Sequence, residues 1–589
     1  MATEWKALLV DGNTQSSKTA TCFRLLSQKI SHENTLIIYI TQANNKTSAQ
    51  QSISRAMIDP YLSKIIPNKN FVRSSNLDDK IEKGHCMIVD FWNSRCTNKI
   101  QQFVMDTREV WGEIIIVIDE ADEGGVKGMT MRLCFVKKIN DISLCSIKLV
   151  FVTATIANLS KSLAEIAIGE SPELVDSDII SDVLNTKCVE HYMVKPDENL
   201  YLGPNDLKPQ WRKLEFPKQT ANMTEDEYTL IKDTVMLESL THLPDEKKHL
   251  CLIVQSYKKE DHTRLADKIT ETGFNVTIVL NSENDKDYSV RYIDNDGKVN
   301  YWNIPYKLIE KNADDDRLSS FYLNGKYVES GINSRTDLSL SHILKAALFY
   351  PEEDLIMDGD FKKVYAIFNF IMNMPPKKRR PSNYPQKPRV AIIAGNLAGR
   401  GLSIQNPMID FVCTSACFVD SKNTSQCGAQ DIQRLGRACG LLKKKFKDPI
   451  IIATENIMMD AIANQELLAF KALSINDGDK IALKDLVTKK EWEAMKKKVK
   501  GDFPKKKKPI ILGKQSVILF EIYYKILSNN GTRSFSREDI INHPIAGRMW
   551  TINHLRNHHE LIGANYIEGD VDKGFVVTQL GKEQFKKYE

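Results

Sequence analysis

The chain has 589 residues, 42% hydrophobic and 27% charged, which marks a folded globular protein and excludes collagen-like, low-complexity and wholly disordered classes. At roughly 150 residues per domain there is room for about three to five domains. Its 81 basic and 76 acidic residues leave a net charge of +5, too even a balance to identify a polyanionic partner by itself, and its 11 cysteines form no CxxC pair, which favours reduced thiols over a disulfide framework.

No stretch approaches the roughly 20 apolar residues of a membrane span. Met1–Val10 carries Glu4 and Lys6 and runs into a glycine turn, unlike a secretory leader. We expect a soluble, intracellular protein with no membrane partner. Cys413, Cys417, Cys427 and Cys439 lie loosely in one region without tight zinc-ligand spacing, so they read as small buried side chains.

In chain order, the apolar runs Ala7–Val10, Thr35–Ile40, Cys86–Phe91, Ile114–Ile118 and Lys148–Thr153 read as buried parallel strands. Helix-compatible stretches such as Lys18–Ile30 and Ser48–Ile58 separate them, the alternation of an α/β sheet covered on both faces. This predicts a first lobe over residues 1–170 and a connecting region over 171–246. The alternation resumes at His249–Gln255, Lys258–Thr272 and Val276–Leu280. Strands are expected again at Arg389–Ala394, Met408–Cys413 and Pro449–Thr454, giving a second lobe over 247–495 with an insertion at about 281–388. Within the insertion, Tyr288–Tyr301 surrounds an Asn-Asp-Gly turn and predicts a hairpin, and Leu338–Phe349 and Phe361–Met372 predict helices. The run Lys377–Arg380 reads as a solvated loop rather than a targeting signal or a phosphate contact. A basic linker, 496–513, contains Lys505–Lys508 and precedes a small unit over 514–589.

Gly12-Asn13-Thr14-Gln15-Ser16-Ser17-Lys18-Thr19 follows the first strand and precedes a helix, the spacing of a phosphate-binding loop with Ser17 in place of its second glycine. Backbone N–H groups at a positive helix end would surround the phosphates of ATP, Lys18 would neutralise them, and Thr19 would hold Mg²⁺. Asp119-Glu120-Ala121-Asp122, a DEAD sequence, closes an aliphatic strand; Asp119 is the expected second holder of Mg²⁺ and Glu120 the general base. The pair implies nucleoside-triphosphate hydrolysis.

These motifs resemble superfamily 2 helicases and translocases. Val152-Thr153-Ala154-Thr155 looks like that superfamily's Ser/Thr-Ala-Thr motif, which would make Thr153 and Thr155 coupling residues. Thr41-Gln42 occupies the place of its sugar–phosphate contact. Ala394–Ser403, with Arg400 and Gly401, resembles the Arg-Gly-Leu/Ile motif, and Gln433-Arg434-Leu435-Gly436-Arg437 resembles the Gln-Arg-x-Gly-Arg motif. The resemblance implies two RecA-like parallel-sheet lobes that close on ATP, with Arg437 as arginine finger and Gln433 positioning water or phosphate. It spans residues 12–440, and neither the insertion nor the tail.

The sequence departs from the pattern in three places. Eleven residues precede Gly12, fewer than the adenine-reading motif of DEAD-box proteins needs, so the nucleotide base is left open. Gly440 stands where many relatives carry a second arginine, and Ser403 replaces a common aspartate. With these departures the chain is similar to helicase-like ATPases attached to some mismatch-repair-type endonucleases, and to divergent helicases of large DNA viruses and phages. No nuclease cluster accompanies the motifs.

In the tail, Ser516–Leu527 carries an apolar helical pattern, and Ser536 stands as N-cap to a second helix. Ile545, Met549, Ile552 and Leu555 form the buried stripe of a third. Two strands, Asn565–Glu568 and Gly574–Thr578, complete an order that resembles winged-helix domains. Arg548, Trp550, His554, Arg556 and Lys573 are its expected nucleic-acid contacts. The sequence therefore predicts an ATP-dependent helicase or translocase on duplex or branched DNA, with RNA the lesser possibility. Its rivals are a nucleic-acid-stimulated ATPase that licenses a protein partner such as a nuclease, and a non-hydrolysing scaffold, which intact Lys18, Asp119 and Glu120 oppose.

Overall fold

The computed structural model describes residues 5–42, 46–77, 84–170, 174, 178–217, 219–220, 223–254, 259–280, 288–304, 320–323, 326–329, 340–349, 380–395, 404–406, 409–419, 429–440, 442–443, 448–501, 567–570 and 574–577. Met1–Lys500 and Gly501–Glu589 are separate units.

The first unit holds two α/β lobes of the RecA-like kind, each with an eight-stranded, mostly parallel sheet. The first sheet contains β1 (Ala7–Gly12), β2 (Thr35–Thr41), β3 (Phe71–Val72), β4 (Cys86–Phe91), β5 (Glu113–Asp119), β6 (Ser146–Thr153) and β7 (Val189–Val194). Uninterrupted runs such as Ile114–Ile118 stay buried because helices cover both faces. These include α1 (Lys18–Lys29), α2 (Lys46–Ile58), α3 (Ser94–Asp106), α4 (Gly125–Ile142) and α5 (Ile156–Glu165). One core cluster joins Leu8 and Val10 of β1, Ile37 and Tyr39 of β2 and Val150 and Val152 of β6 to Phe23 and Leu26 of α1. β6 lies between β1 and β5, and the register pairs Asp11 with Thr153 and Asp119 with Val152. The carboxyl ends of three strands thus converge where an open α/β sheet binds its ligand.

The second sheet runs in the order β12-β11-β10-β15-β9-β16-β17-β8. Its strands are β8 (Trp211–Lys213), β9 (Leu250–Val254), β10 (Val276–Leu280), β11 (Tyr288–Ile293), β12 (Val299–Ile304), β15 (Val390–Ala394), β16 (Ser415–Phe418) and β17 (Ile450–Ala453); β13 (Ser320–Leu323) and β14 (Lys326–Glu329) pair separately as a hairpin. Helices α6 (Glu225–Thr241), α7 (Lys259–Ile269), α8 (Ala429–Leu435) and α9 (Glu455–Ser474) belong to this lobe. Beyond α9 the chain returns to the first sheet, where β18 (Lys480–Ile481) pairs antiparallel with β7. Then α10 (Lys489–Gly501) covers the start of the segment read as a basic linker.

Several elements differ from expectation. The hairpin β11–β12 continues the second sheet antiparallel from β10, because Val276–Ile278 pair with Val290–Tyr292. The strand expected at Met408–Cys413 lies at Ser415–Phe418 instead. Asn406 and Phe411 bridge across a turn with Asp410 at φ 54°, so extended pairing beside β9 starts only after it. Strands β7 and β8, from the segment read as connecting, complete one sheet each. Arg380 is buried, with its guanidinium 4.1 Å from the centre of the Tyr384 ring, so this end of the basic run is not a solvated loop. Cys413, Cys417 and Cys439 are buried free thiols.

In the second unit, β19 (Ile567–Asp570) and β20 (Gly574–Val577) form an antiparallel pair. The helices expected in the tail and at Phe361–Met372, together with Lys377–Arg379, Cys427 and Lys505–Lys508, lie outside the described residues. Among the described residues no helix is long and apolar enough to cross a membrane.

At the amino end of the first sheet, Glu113 and Lys148 form a buried ion pair of 2.7 Å. Glu113 also accepts from the Ser31 N–H and the Thr35 hydroxyl, each at 3.0 Å. Burial raises the Glu113 carboxyl, but Lys148 and these donors hold it below its ordinary value overall. Its contribution is present above the unfolded pKa of about 4.3 and is lost as pH falls through the lower folded value. Lys148→Met is expected to cost about 3 kcal/mol at neutral pH by stranding Glu113. In urea unfolding, the gap to wild type should narrow as pH drops below about 4.

Candidate active site

The phosphate-type loop is built on unusual backbone. Gly12 has φ 148°, and a β-carbon there would lie 2.8 Å from the Val194 carbonyl oxygen. Gln15 (φ 55°) and Ser17 (φ 71°) take left-handed conformations, the backbone type from which anion nests are built. At Ser17 this geometry costs about 1 kcal/mol, which a glycine would not incur. Lys18 opens α1, and its Nζ donates to the carbonyls of Asn13 at 2.7 Å and Gly12 at 3.3 Å, folding the ammonium back onto the loop. Burial lowers the Lys18 pKa, against the opposing pull of Glu120, Asp119, Asp11 and Asp122.

Facing the loop, Asp119 accepts from the Tyr39 hydroxyl at 2.9 Å and from the Glu120 N–H at 3.0 Å. Burial raises its carboxyl, while Tyr39, the Glu120 N–H, Lys18 and Arg55 oppose the rise. Thr19 also acts on the Tyr39 phenol, so the hydroxyl and the carboxylate expected to bind a metal both lie near it. A hydroxyl and a carboxylate, placed beside a lysine and an anion nest, are hard donors of the kind Mg²⁺–nucleotide takes, and the residues fit that group.

Asp122 accepts from the Thr153 hydroxyl at 2.7 Å, and Thr153 Oγ1 accepts from the Thr155 N–H at 3.0 Å. The Ser/Thr-Ala-Thr segment is thereby tied to the acidic turn. Thr41 and Gln42 are both buried at the end of β2.

The second lobe reaches this site directly. Gln433 Nε2 donates to Glu120 Oε2 at 2.8 Å. Arg434 is turned away, donating to the Val419 carbonyl at 2.6 Å. Arg437 is 6% exposed in the turn after α8, and Gln405 donates to its carbonyl. On α9, Asn464 donates to the Ala154 carbonyl at 3.0 Å. A β-carbon on Gly436 would lie 2.4 Å from Thr14 Oγ1, so the backbone of the second lobe rests on the loop. Gly440 has φ 130°, and its β-carbon would meet Gln15 Oε1 at 3.1 Å. The positive φ and the tight approach to Gln15 both disfavour a larger side chain, such as arginine, at this position.

Arg400 and Gly401 lie outside the described residues, as do Arg548, Trp550, His554, Arg556 and Lys573. Sequence reasoning missed Tyr39, Gln405 and Asn464, which belong to no motif. Of these, Tyr39 alone left a trace, as a polar tip in the aliphatic strand Thr35–Thr41.

No family model matches the chain, and no curated protein matches it. Among solved structures it is similar to the Escherichia coli DExH-box NTPase HrpB, at 11% identity over 95% of this chain and 56% of that one, with a TM-score of 0.38. A second structure, described as the E. coli DEAH/RHA helicase HrpB, gives 12%, 98%, 50% and 0.35. An S. cerevisiae Dbp5 variant bound to RNA and ADP BeF3 gives 12%, 85%, 90% and 0.36. The chain spans about half the length of the HrpB structures. These likenesses are distant, and the reading of the site rests on this chain's own residues.

The Gly436–Thr14 approach makes a direct steric prediction. Gly436→Ala should destabilise the first unit by about 2 kcal/mol through overpacking. Adding Thr14→Gly should recover most of that loss, a non-additivity that a double-mutant cycle of thermal midpoints measures.

Proposed function

We propose that the chain is an ATP-dependent nucleic-acid helicase or translocase of superfamily 2, acting on duplex or branched DNA, with ATP·Mg²⁺ hydrolysed between its two lobes. The observation that carries this reading is the 2.8 Å hydrogen bond from Gln433 to Glu120, which joins the motif of one lobe to the acidic strand end of the other. Bound ATP·Mg²⁺ supplies the phosphoanhydride that is cleaved and the cation that offsets its charge.

The remaining work falls to the chain's own side chains. The amides of Gly12–Thr19 and the Lys18 ammonium bind and orient the phosphates, with Thr19 and Asp119 as metal holders. Glu120 accepts the proton of the attacking water, and Gln433 fixes the carboxylate that accepts it. Arg437 neutralises charge at the terminal phosphate. Thr153, Thr155, Arg400 and Gly401 couple the state of the acidic turn to the polymer, and Thr41 and Gln42 contact the strand. Arg548, Trp550, His554, Arg556 and Lys573 are the proposed contacts of a winged-helix-like tail. Grip on the polymer is electrostatic and salt-sensitive.

ATP turnover measured with no polymer, single-stranded, duplex and forked DNA, and RNA tests the proposal. Strong stimulation by duplex or forked DNA is expected, with Glu120→Gln lowering kcat by about a hundredfold or more. Lys18→Ala should also abolish turnover. Stimulation without strand displacement or movement along the track would favour an ATPase that remodels a partner. No turnover from folded protein that binds ATP would overturn the motor reading.

A further inference from the structure

The segment between β7 and β8 touches both halves of the site at once. Tyr201 is buried, and its hydroxyl donates to the Thr14 carbonyl of the phosphate-type loop at 2.9 Å. The next residue bridges the other lobe: the Leu202 N–H donates to the Gly440 carbonyl at 2.7 Å and the Gly440 N–H returns to Leu202 at 3.0 Å. The Lys443 N–H donates to the Leu200 carbonyl at 3.0 Å, and its Nζ donates to the Glu198 carbonyl at 2.9 Å and pairs with Asp206 at 3.0 Å. Gly440 lies three residues beyond Arg437, and its positive φ lets the backbone make this bridge.

We infer that Tyr201 is a positioning residue for nucleotide hydrolysis, and that Tyr201 and Leu202 form a clasp fixing the Arg437 segment against the phosphate-type loop. The inference rests on the hydrolytic reading above. Its physical basis is that the Thr14 carbonyl and the Gln15 N–H belong to one peptide unit. A hydrogen bond donated to that oxygen polarises the unit and strengthens the Gln15 N–H as a donor toward phosphate. The same two residues hold Gly440 in register, so displacement of the loop and of the arginine turn are mechanically linked.

Tyr201→Phe in the full chain keeps the buried ring and removes only the hydroxyl. Hydrogen exchange without nucleotide is expected to show reduced amide protection in segments 12–18 and 436–443 together, with the rest of the first unit unchanged. Steady-state ATP turnover should show kcat lowered about fivefold, the effect of one hydrogen bond, with KM within about twofold of wild type. Gly440→Ala should loosen the same two segments. Loss of protection confined to residues near 201, or spread evenly over the first unit, would overturn the clasp. Unchanged kcat in Tyr201→Phe, where wild type turns over, would overturn its positioning role. If wild type itself fails to hydrolyse ATP, the hydrolytic reading and the positioning role fall together, and the exchange result decides the clasp separately.

Discussion

The approach of the second lobe's backbone to Thr14 and Gln15 is the constraint on which the site depends. Two positions without a β-carbon, Gly436 and Gly440, let the second lobe's main chain settle on the side chains of Thr14 and Gln15. Ordinary side-chain packing would hold the lobes several ångströms further apart. At that distance Gln433 would not reach Glu120. The site is thus assembled by closeness of backbone, with polar side chains fixing orientation once that closeness is reached.

Burial then sets the electrostatics. Lys18, Asp119 and Asp11 are all shifted toward their neutral forms, and each is countered by neighbours of opposite charge. Asp11 lies beneath the loop with His191 Nε2 3.1 Å away. An anion carrying its own metal ion would satisfy the lysine and the acids together. Such a mutually opposed set is costly to maintain for structure alone, and perturbed groups of this kind concentrate at functional sites.

Much of this was legible from the residues. Continuous aliphatic runs ending in Gly12, Asp119 and Thr153 indicated parallel strands whose carboxyl ends meet, because strands buried on both faces leave no alternation to misread. The failures share a cause. Met408–Cys413 has the composition of a strand, yet the turn at Asp410 and the position of β9 move pairing to Ser415–Phe418. The hairpin β11–β12 was visible locally, but nothing local says that its first strand joins β10. Tyr201, Gln405 and Asn464 reach distant segments through side-chain hydrogen bonds, and no periodicity or spacing encodes such contacts.

The return of the chain from α9 to β18 has a mechanical consequence. Among the described residues the polypeptide crosses between lobes after β7 and again before β18, so the lobes are joined at two places instead of one. Two fixed points define a line, and a pair of bodies joined along a line retains chiefly rotation about it. Sliding and independent twisting are suppressed. If the cleft opens, two such crossings would confine the motion to something close to a single coordinate, like a door on two hinges.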